Sequence, residues 1–534
     1  MNEENRPAEL TPEQTCCPPL SPYPPRPRYF TAEPRELVYA AFLLLAVLAA
    51  VDGFLWATPG LLASAASIAL ALVSGCYLLR NGRHVTVYGI FCALAFPACA
   101  LAFALTDCST GIKLLLLLLM LLLAAVVMLE RMGLRQYTGG DFRSIADLCY
   151  MIFALPFGKL GQALHTLFHR GGGERRRIGS VLLGVLIAVP VLFIVLPLLI
   201  SSDAVFAAML DRWMALDRLS ELAGVLIIGF FMFLLLFGRL VSLPRVARSE
   251  PPVSLGGGLD PIVVVSFLGV ISAVYVLYLF SQLAYFFNAF AGLLPAEYTV
   301  AEYARRGFFE MTLVCACNLG LIFLARVICR KTDDRTPLAV RLLSLFLCAF
   351  SLILSVTVLS KLRLYIASFG MTKLRILTSV FTVFLMIVFV AVALRLLIRK
   401  VPYMKIALAA AVVLTLACTY VDTDRMIAHY NVDAYLSGKL DTIDVEALDY
   451  LHSDGIAEDV LRLIDVPDAE VAQQAKELLT TRAKELFDLK YTANGGAIYA
   501  VHGDWRSWNA VKSKARALLT ARFDDYYQPD AETY

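Results

Sequence analysis

About eleven stretches of this chain approach or exceed the ~20 apolar residues that an α-helix needs to cross a ~30 Å hydrocarbon core. They run approximately over 37–56, 60–79, 85–105, 112–129, 178–200, 220–241, 261–284, 306–329, 338–359, 374–398 and 402–420. Lipid offers no partner for an exposed backbone N–H or C=O, so segments of this kind must satisfy their own groups as helices. Composition agrees: 59% of the 534 residues are hydrophobic and 17% charged, against roughly 45–50% and about 25% in soluble domains. The expected fold is therefore all-α, a polytopic transmembrane helical bundle of about eleven spans. The apolar stretch 145–157 is shorter, opens after Asp141 and closes near Pro156. It reads as an interfacial or re-entrant helix, and if it spans instead, everything downstream inverts.

Two polar regions flank the bundle. Residues 1–36 hold nine prolines and little to bury, the composition of a disordered arm. From Val421 onward there are 12 Lys+Arg against 21 Asp+Glu, which leaves 35 against 23 for the rest of the 47 and 44. A basic body thus carries an acidic tail. In that tail Val471, Ala475, Leu478, Leu479 and Leu486 fall near one helical face. Asp444 and Asp468 suit helix starts, and Asn494-Gly495-Gly496 marks a turn. The domain reading is a disordered arm at 1–36, a transmembrane domain at 37–420 and a small helical extramembrane domain at 421–534. Trp505 and Trp508 are placed to anchor that domain on itself or on the bilayer surface.

Lysine and arginine set the orientation. With the N-terminus inside, inner segments of the body hold 26 of them and outer loops nine, which puts the arm in the cytoplasm and the acidic tail outside. Four of the nine outer ones fall in a single run, 361–375, reading KLRLYIASFGMTKLR. A second charged run, 297–310, reads EYTVAEYARRGFFE. By parity both lie on the same face. Ionisable groups at membrane depth are costly and mark candidate sites.

The candidate binding residues come from these runs and the stripe leading to them: Glu302, Arg306 and Glu310 at four-residue spacing, Arg363, Tyr365, Lys373 and Arg375, and Tyr278 and Gln282 on the outer half of the seventh span. The acids 297, 302 and 310, with Asp422 and Asp424, are the nearest supply of counter-charge. If they use up the cations, the face is a structural clasp. If not, the residual arginine or lysine suits an anion such as a phosphate or carboxylate. Both outcomes fit the sequence. The small-residue stripe Ser344, Cys348, Ser351 and Ser355 reads first as close helix packing. Asp52, near the outer end of the first span, is an intramembrane acid with no evident partner.

The twelve cysteines lie mostly inside apolar runs and form no CxxC pair, so neither a redox framework nor a zinc site is expected. His165 and His169 have i, i+4 spacing without a third ligand. No nucleophile–base set, phosphate-binding loop or nucleic-acid signature is present, and neither a catalytic residue nor a cofactor is assigned. The expected partner is the lipid bilayer, with a lipid or small anionic ligand at the charged face and no nucleic acid.

The runs AEYARRGFFE and RLYIASFGMTKLR, in this order and followed by NVDAYLSGKLDTIDVEAL at the start of the tail, resemble a bacterial integral-membrane family described as a domain of unknown function, of the 4153/4173 type. The resemblance implies a many-helix protein of the bacterial cell membrane and lends no catalytic residues. Two functional readings follow from the residues. In the first, an outward-facing charged site binds or moves a polar, anionic or lipid head group. In the second, the membrane body anchors a sensor or scaffold and the charges are structural. An intramembrane enzyme with Glu302 or Glu310 as base ranks last.

Overall fold

A computed structural model describes residues 33–82, 84–134, 144–168, 195, 198–199, 201–203, 216–245, 259–291, 308–329, 337–398, 400–491, 497–501 and 504–527. Among these residues, ten helices are long and apolar enough to cross a membrane, or eleven if one bent pair is a single span. The first four are α1 (Pro34–Val51), α2 (Leu61–Asn81), α3 (Val87–Leu105) and α4 (Thr110–Met132). Local chemistry sets their limits. The Thr86 hydroxyl accepts the Gly89 amide at the start of α3, and Gly133, at φ 64°, ends α4 in the left-handed conformation glycine tolerates.

The bent pair is α5 (Ser144–Cys149), a π-turn Tyr150–Ala154 and α6 (Leu155–Gly158), followed after a 44° break by α7 (Leu160–Phe168). Then come α8 (Leu216–Ser242), α9 (Pro261–Ala291), α10 (Phe308–Ile328), α11 (Leu338–Phe369), α12 (Lys373–Leu397) and α13 (Tyr403–Tyr420). The stretch 178–200, most of the arm and Asp141 lie outside the described residues, apart from residues 195 and 198–199.

Three apolar cores hold the helices together. One gathers α1, α2, α4 and α8 with the bent pair, a second gathers α9 to α13, and a third joins α3 and α4 to Val412 of α13. Large side chains such as Leu94, Leu114, Leu277 and Phe280 remain exposed on the outer faces, as helices in lipid require. In the second core, Ser344, Ser351 and Ser355 are fully buried. Ser344 and Ser355 return their hydroxyls to carbonyls one turn back, so this stripe is a close-packing surface, as its residue types suggested. The Tyr275 hydroxyl donates to Asn318 Oδ1 at 2.7 Å and Asn318 Nδ2 to Ser351 Oγ at 2.9 Å, a polar line across α9, α10 and α11.

Ion pairs mark one end of the bundle. Arg245 meets Glu36 at 2.8 Å, Lys405 meets Glu130 at 2.9 Å, and Arg326 lies 5.9 Å from the Tyr403 ring centre. The bent pair belongs to this end. Met151 and Leu155 share a core with Ala125, Met128 and Leu129, the last turns of α4. Lys159 and Ala163 press on Gly238 near the end of α8. Both arms therefore contact the last turns of α4 and α8, with the bend of a broken span or a re-entrant loop.

The tail covers the opposite end. It contains α14 (Thr423–Leu436), α15 (Val445–Asp449), α16 (Ala457–Val460), α17 (Ala469–Leu486), α18 (Ala510–Ala521) and α19 (Phe523–Tyr526). The Asp444 and Asp468 side chains cap α15 and α17, and Val471, Ala475, Leu478, Leu479 and Leu486 are all buried in one core. Between α17 and α18, β1 (Phe487–Tyr491) and β2 (Ala497–Val501) pair antiparallel on either side of the Asn-Gly-Gly segment, which lies outside the described residues.

Candidate functional site

Four chain reversals converge at the tail-covered end: between α1 and α2, α3 and α4, α11 and α12, and α13 and α14. α1 runs into a π-turn, Asp52–Trp56, that opens on Asp52. The partner of this acid is Arg506, 454 residues along the chain, whose Nη1 lies 2.7 Å from Asp52 Oδ1. Glu221 stands 3.9 Å from the same guanidinium and Asp504 holds its Nε. Next to it, the Leu61 amide donates to the Trp508 carbonyl at 2.9 Å. A Cβ on Gly60 would lie 2.7 Å from Ser507 and Trp508 backbone atoms, so glycine permits the approach. Trp505 and Trp508 are exposed beside these helix ends, the level at which tryptophan anchors proteins to a bilayer.

Asn509 serves two purposes. Its Oδ1 accepts the Val511 and Lys512 amides and so starts α18. Its Nδ2 donates to the Phe103 and Thr106 carbonyls at 3.1 and 2.7 Å, acceptors left over at the end of α3. Nearby, buried Asp107 accepts the Asp454 amide at 3.1 Å.

The α11–α12 reversal carries the basic run. Lys373 Nζ meets Asp424 at 3.0 Å, and Asp424 also accepts the His452 and Ser453 amides. Asn431 Oδ1 accepts the Met371 amide and its Nδ2 donates to the Met371 carbonyl, at 2.7 and 2.9 Å. Gly370, at φ 73°, turns the chain against that same Asn431. Two of the motifs that resemble the 4153/4173 family therefore touch each other. Arg375 lies 4.1 Å from the Tyr365 ring centre and donates to the Phe369 and Gly370 carbonyls at the end of α11.

The candidate residues divide accordingly. Lys373 belongs to the clasp. Arg375 and Tyr365 form a stacked pair that caps a helix. Arg363 and Glu310 are exposed, and neither Arg363 nor Arg375 makes an ion pair with the described residues. Tyr278 packs edge-on to Phe350 inside the second core. Glu302, Arg306 and the side chain of Gln282 lie outside the described residues, as does His169. The residues that sequence reasoning did not assign to the face are Arg506, Asn509, Asn431, Asp107 and Asp454; Asn509 and Asp454 sit at helix starts, while Asn431 opens the quoted tail motif from within α14.

Electrostatics adds a pH dependence. Burial, then the neighbouring Asp107, push the Asp454 carboxyl up from 3.8 to about 6, opposed by Lys512 and Arg482, with Glu485 adding to the rise. Burial also raises Asp422 and lowers His452. A carboxyl whose docked pKa exceeds its free value favours docking fully below the free value and loses that contribution as pH rises through about 6. Asp454 is therefore expected to favour tighter docking on acidification from pH 7 to 4, by about 3 kcal/mol at most, opposed by His452, whose lowered pKa makes its protonation work against docking. Hydrogen-exchange protection of the Leu61 amide measures this, and Asp454→Asn is expected to flatten the profile. An unchanged profile would remove Asp454 from the explanation.

Among the described residues, no group of three or more His, Cys, Asp or Glu side chains is arranged to hold a metal ion. No curated protein and no solved structure matches the chain. One family model does, over residues 67–460, and that span takes in both touching motifs and most of the bundle. The chain belongs to the family described as a domain of unknown function, DUF4153.

Proposed function

We propose that this multi-pass membrane protein is a scaffold or sensor whose tail is latched onto the ends of the transmembrane helices, with the charges of that face acting mainly as the latch. The observation that carries the reading is the distribution of contacts. Asp52–Arg506, Asn509 with Phe103 and Thr106, and Asn431 with Met371 each tie the tail to a different reversal of the body. Lys373–Asp424 adds an ion pair whose carboxylate is buried. The lysine and arginine count favours the tail outside a bacterial cell membrane and the proline-rich arm inside. Removing residues 421–534 is expected to abolish complementation of a strain lacking the protein while the body still inserts. A truncated body with full activity would refute the reading.

A second reading has its own support in Arg363 and Arg375, cations on the same face without an ion pair among the described residues. An outward-facing site that binds or moves an anionic or lipid head group would use such charge. Combined Glu310→Gln and Arg375→Gln replacements that left a folded protein fully active would sink it.

A further inference from the structure

Where the tail meets the ends of α3 and α13, a cleft of about 170 Å³ remains open. A water's share of liquid volume is about 30 Å³, so the cleft holds a small polar group rather than one solvent molecule. One wall is cationic. Arg425 Nη2 and Lys514 Nζ both meet the same oxygen of Glu458, at 2.7 and 3.0 Å. Two cations thus share one carboxylate, and each keeps N–H donors unspent among the described residues. An acidic wall is formed by Asp422, which accepts the Arg425 amide and the Ser453 hydroxyl, and Asp454. Asp422 is held at φ 52°, and among the described residues it is the one non-glycine with positive φ, a conformation that recurs at ligand-binding positions. The rim is apolar: Leu105, Tyr420 and Val421 are exposed at the last turns of spanning helices, where hydrocarbon gives way to head groups.

We propose that this cleft binds the head group of an amino-phospholipid, with the phosphate on Arg425 and Lys514, the ammonium on Asp422 and Asp454, and the acyl chains leaving past Leu105 and Val421. A cation there adds to Arg482 and Lys512, 3.5 and 3.9 Å from Asp454, in offsetting the burial of two acids close to Asp107. A purely anionic head group would meet the acidic wall, and a quaternary ammonium would bring no N–H donor to it. The proposal rests on the docked tail, since Arg425, Glu458 and Lys514 all belong to it.

The test uses the full-length protein in nanodiscs of phosphatidylethanolamine, phosphatidylglycerol or phosphatidylcholine, with retained lipid read by native mass spectrometry. Phosphatidylethanolamine is expected to be retained roughly tenfold better than the other two. The double variant R425Q/K514Q is expected to lose that preference while the Leu61 amide stays protected. Equal retention of the three lipids, or an unchanged preference in the double variant, would overturn the proposal. Free phosphoethanolamine binding as tightly as the lipid would overturn the assignment to a lipid. An unprotected Leu61 amide in the native protein would instead defeat the docked-tail reading, so the two failures are distinguishable.

Discussion

Lys373→Met is expected to loosen the tail by roughly 3 kcal/mol, among the largest effects of a single replacement on this face. Asp424 is 4% exposed, and its carboxylate would remain buried with its counter-charge removed. Breaking one side of a buried pair typically costs about 3–5 kcal/mol. The low end applies because the His452 and Ser453 amides continue to donate to Asp424 and because Lys373 keeps partial contact with solvent. The companion K373M/D424N removes both charges and leaves an acceptor for those amides, so it should recover most of the loss. Exchange protection at the Met371 and Leu61 amides, followed through a denaturant series, measures both variants. Two variants of equal stability would mean that the pair contributes through shape rather than charge.

Asn509→Ala is expected to cost about 2–4 kcal/mol at the other edge of the tail. Loss of the helix cap accounts for about 1 kcal/mol, and two buried carbonyls left without a donor add about 1–3 kcal/mol. Asn509→Asp separates the two, because a carboxylate still caps α18 but can only repel the Phe103 and Thr106 carbonyls. It should therefore release the tail while α18 persists. Exchange protection of the Leu61 amide, which donates to the Trp508 carbonyl in the docked tail, gives the readout. A tail still docked in the Asp variant would mean that the carbonyl bonds contribute little.

Much of the architecture was legible because its causes are local. A ~20-residue apolar run specifies a span wherever it packs, and Asp444 and Asp468 act on amides two or three residues away. The buried face of α17 follows from helical periodicity alone. The placement of 361–375 on the same face as the exit of α13 follows from counting crossings. The pairing within that face was not legible, because it depends on which reversals the tail reaches. Asp424 appeared among several possible acids for the basic run, and only the packed tail selects it for Lys373. Arg375 has carbonyls and a ring within reach that no charge count reveals. Arg506 lies too far along the chain to be assigned to Asp52. The hairpin β1–β2 is short, and its pattern is weaker than the helical signals around it.

Part of the seam also divides along the edges of the family match. Lys373–Asp424, Asn431–Met371 and Asp107–Asp454 fall wholly within residues 67–460. Asp52, Gly60 and Leu61 precede that span, while Arg506, Ser507 and Trp508 follow it, and these flanking pieces bind each other. The two margins of the chain thus form an outer strap fastened around an inner lock. Each margin supplies one half of that joint, so a chain that lost the first margin would leave Arg506 without Asp52, while the second would keep its hold on Phe103 and Thr106 through Asn509.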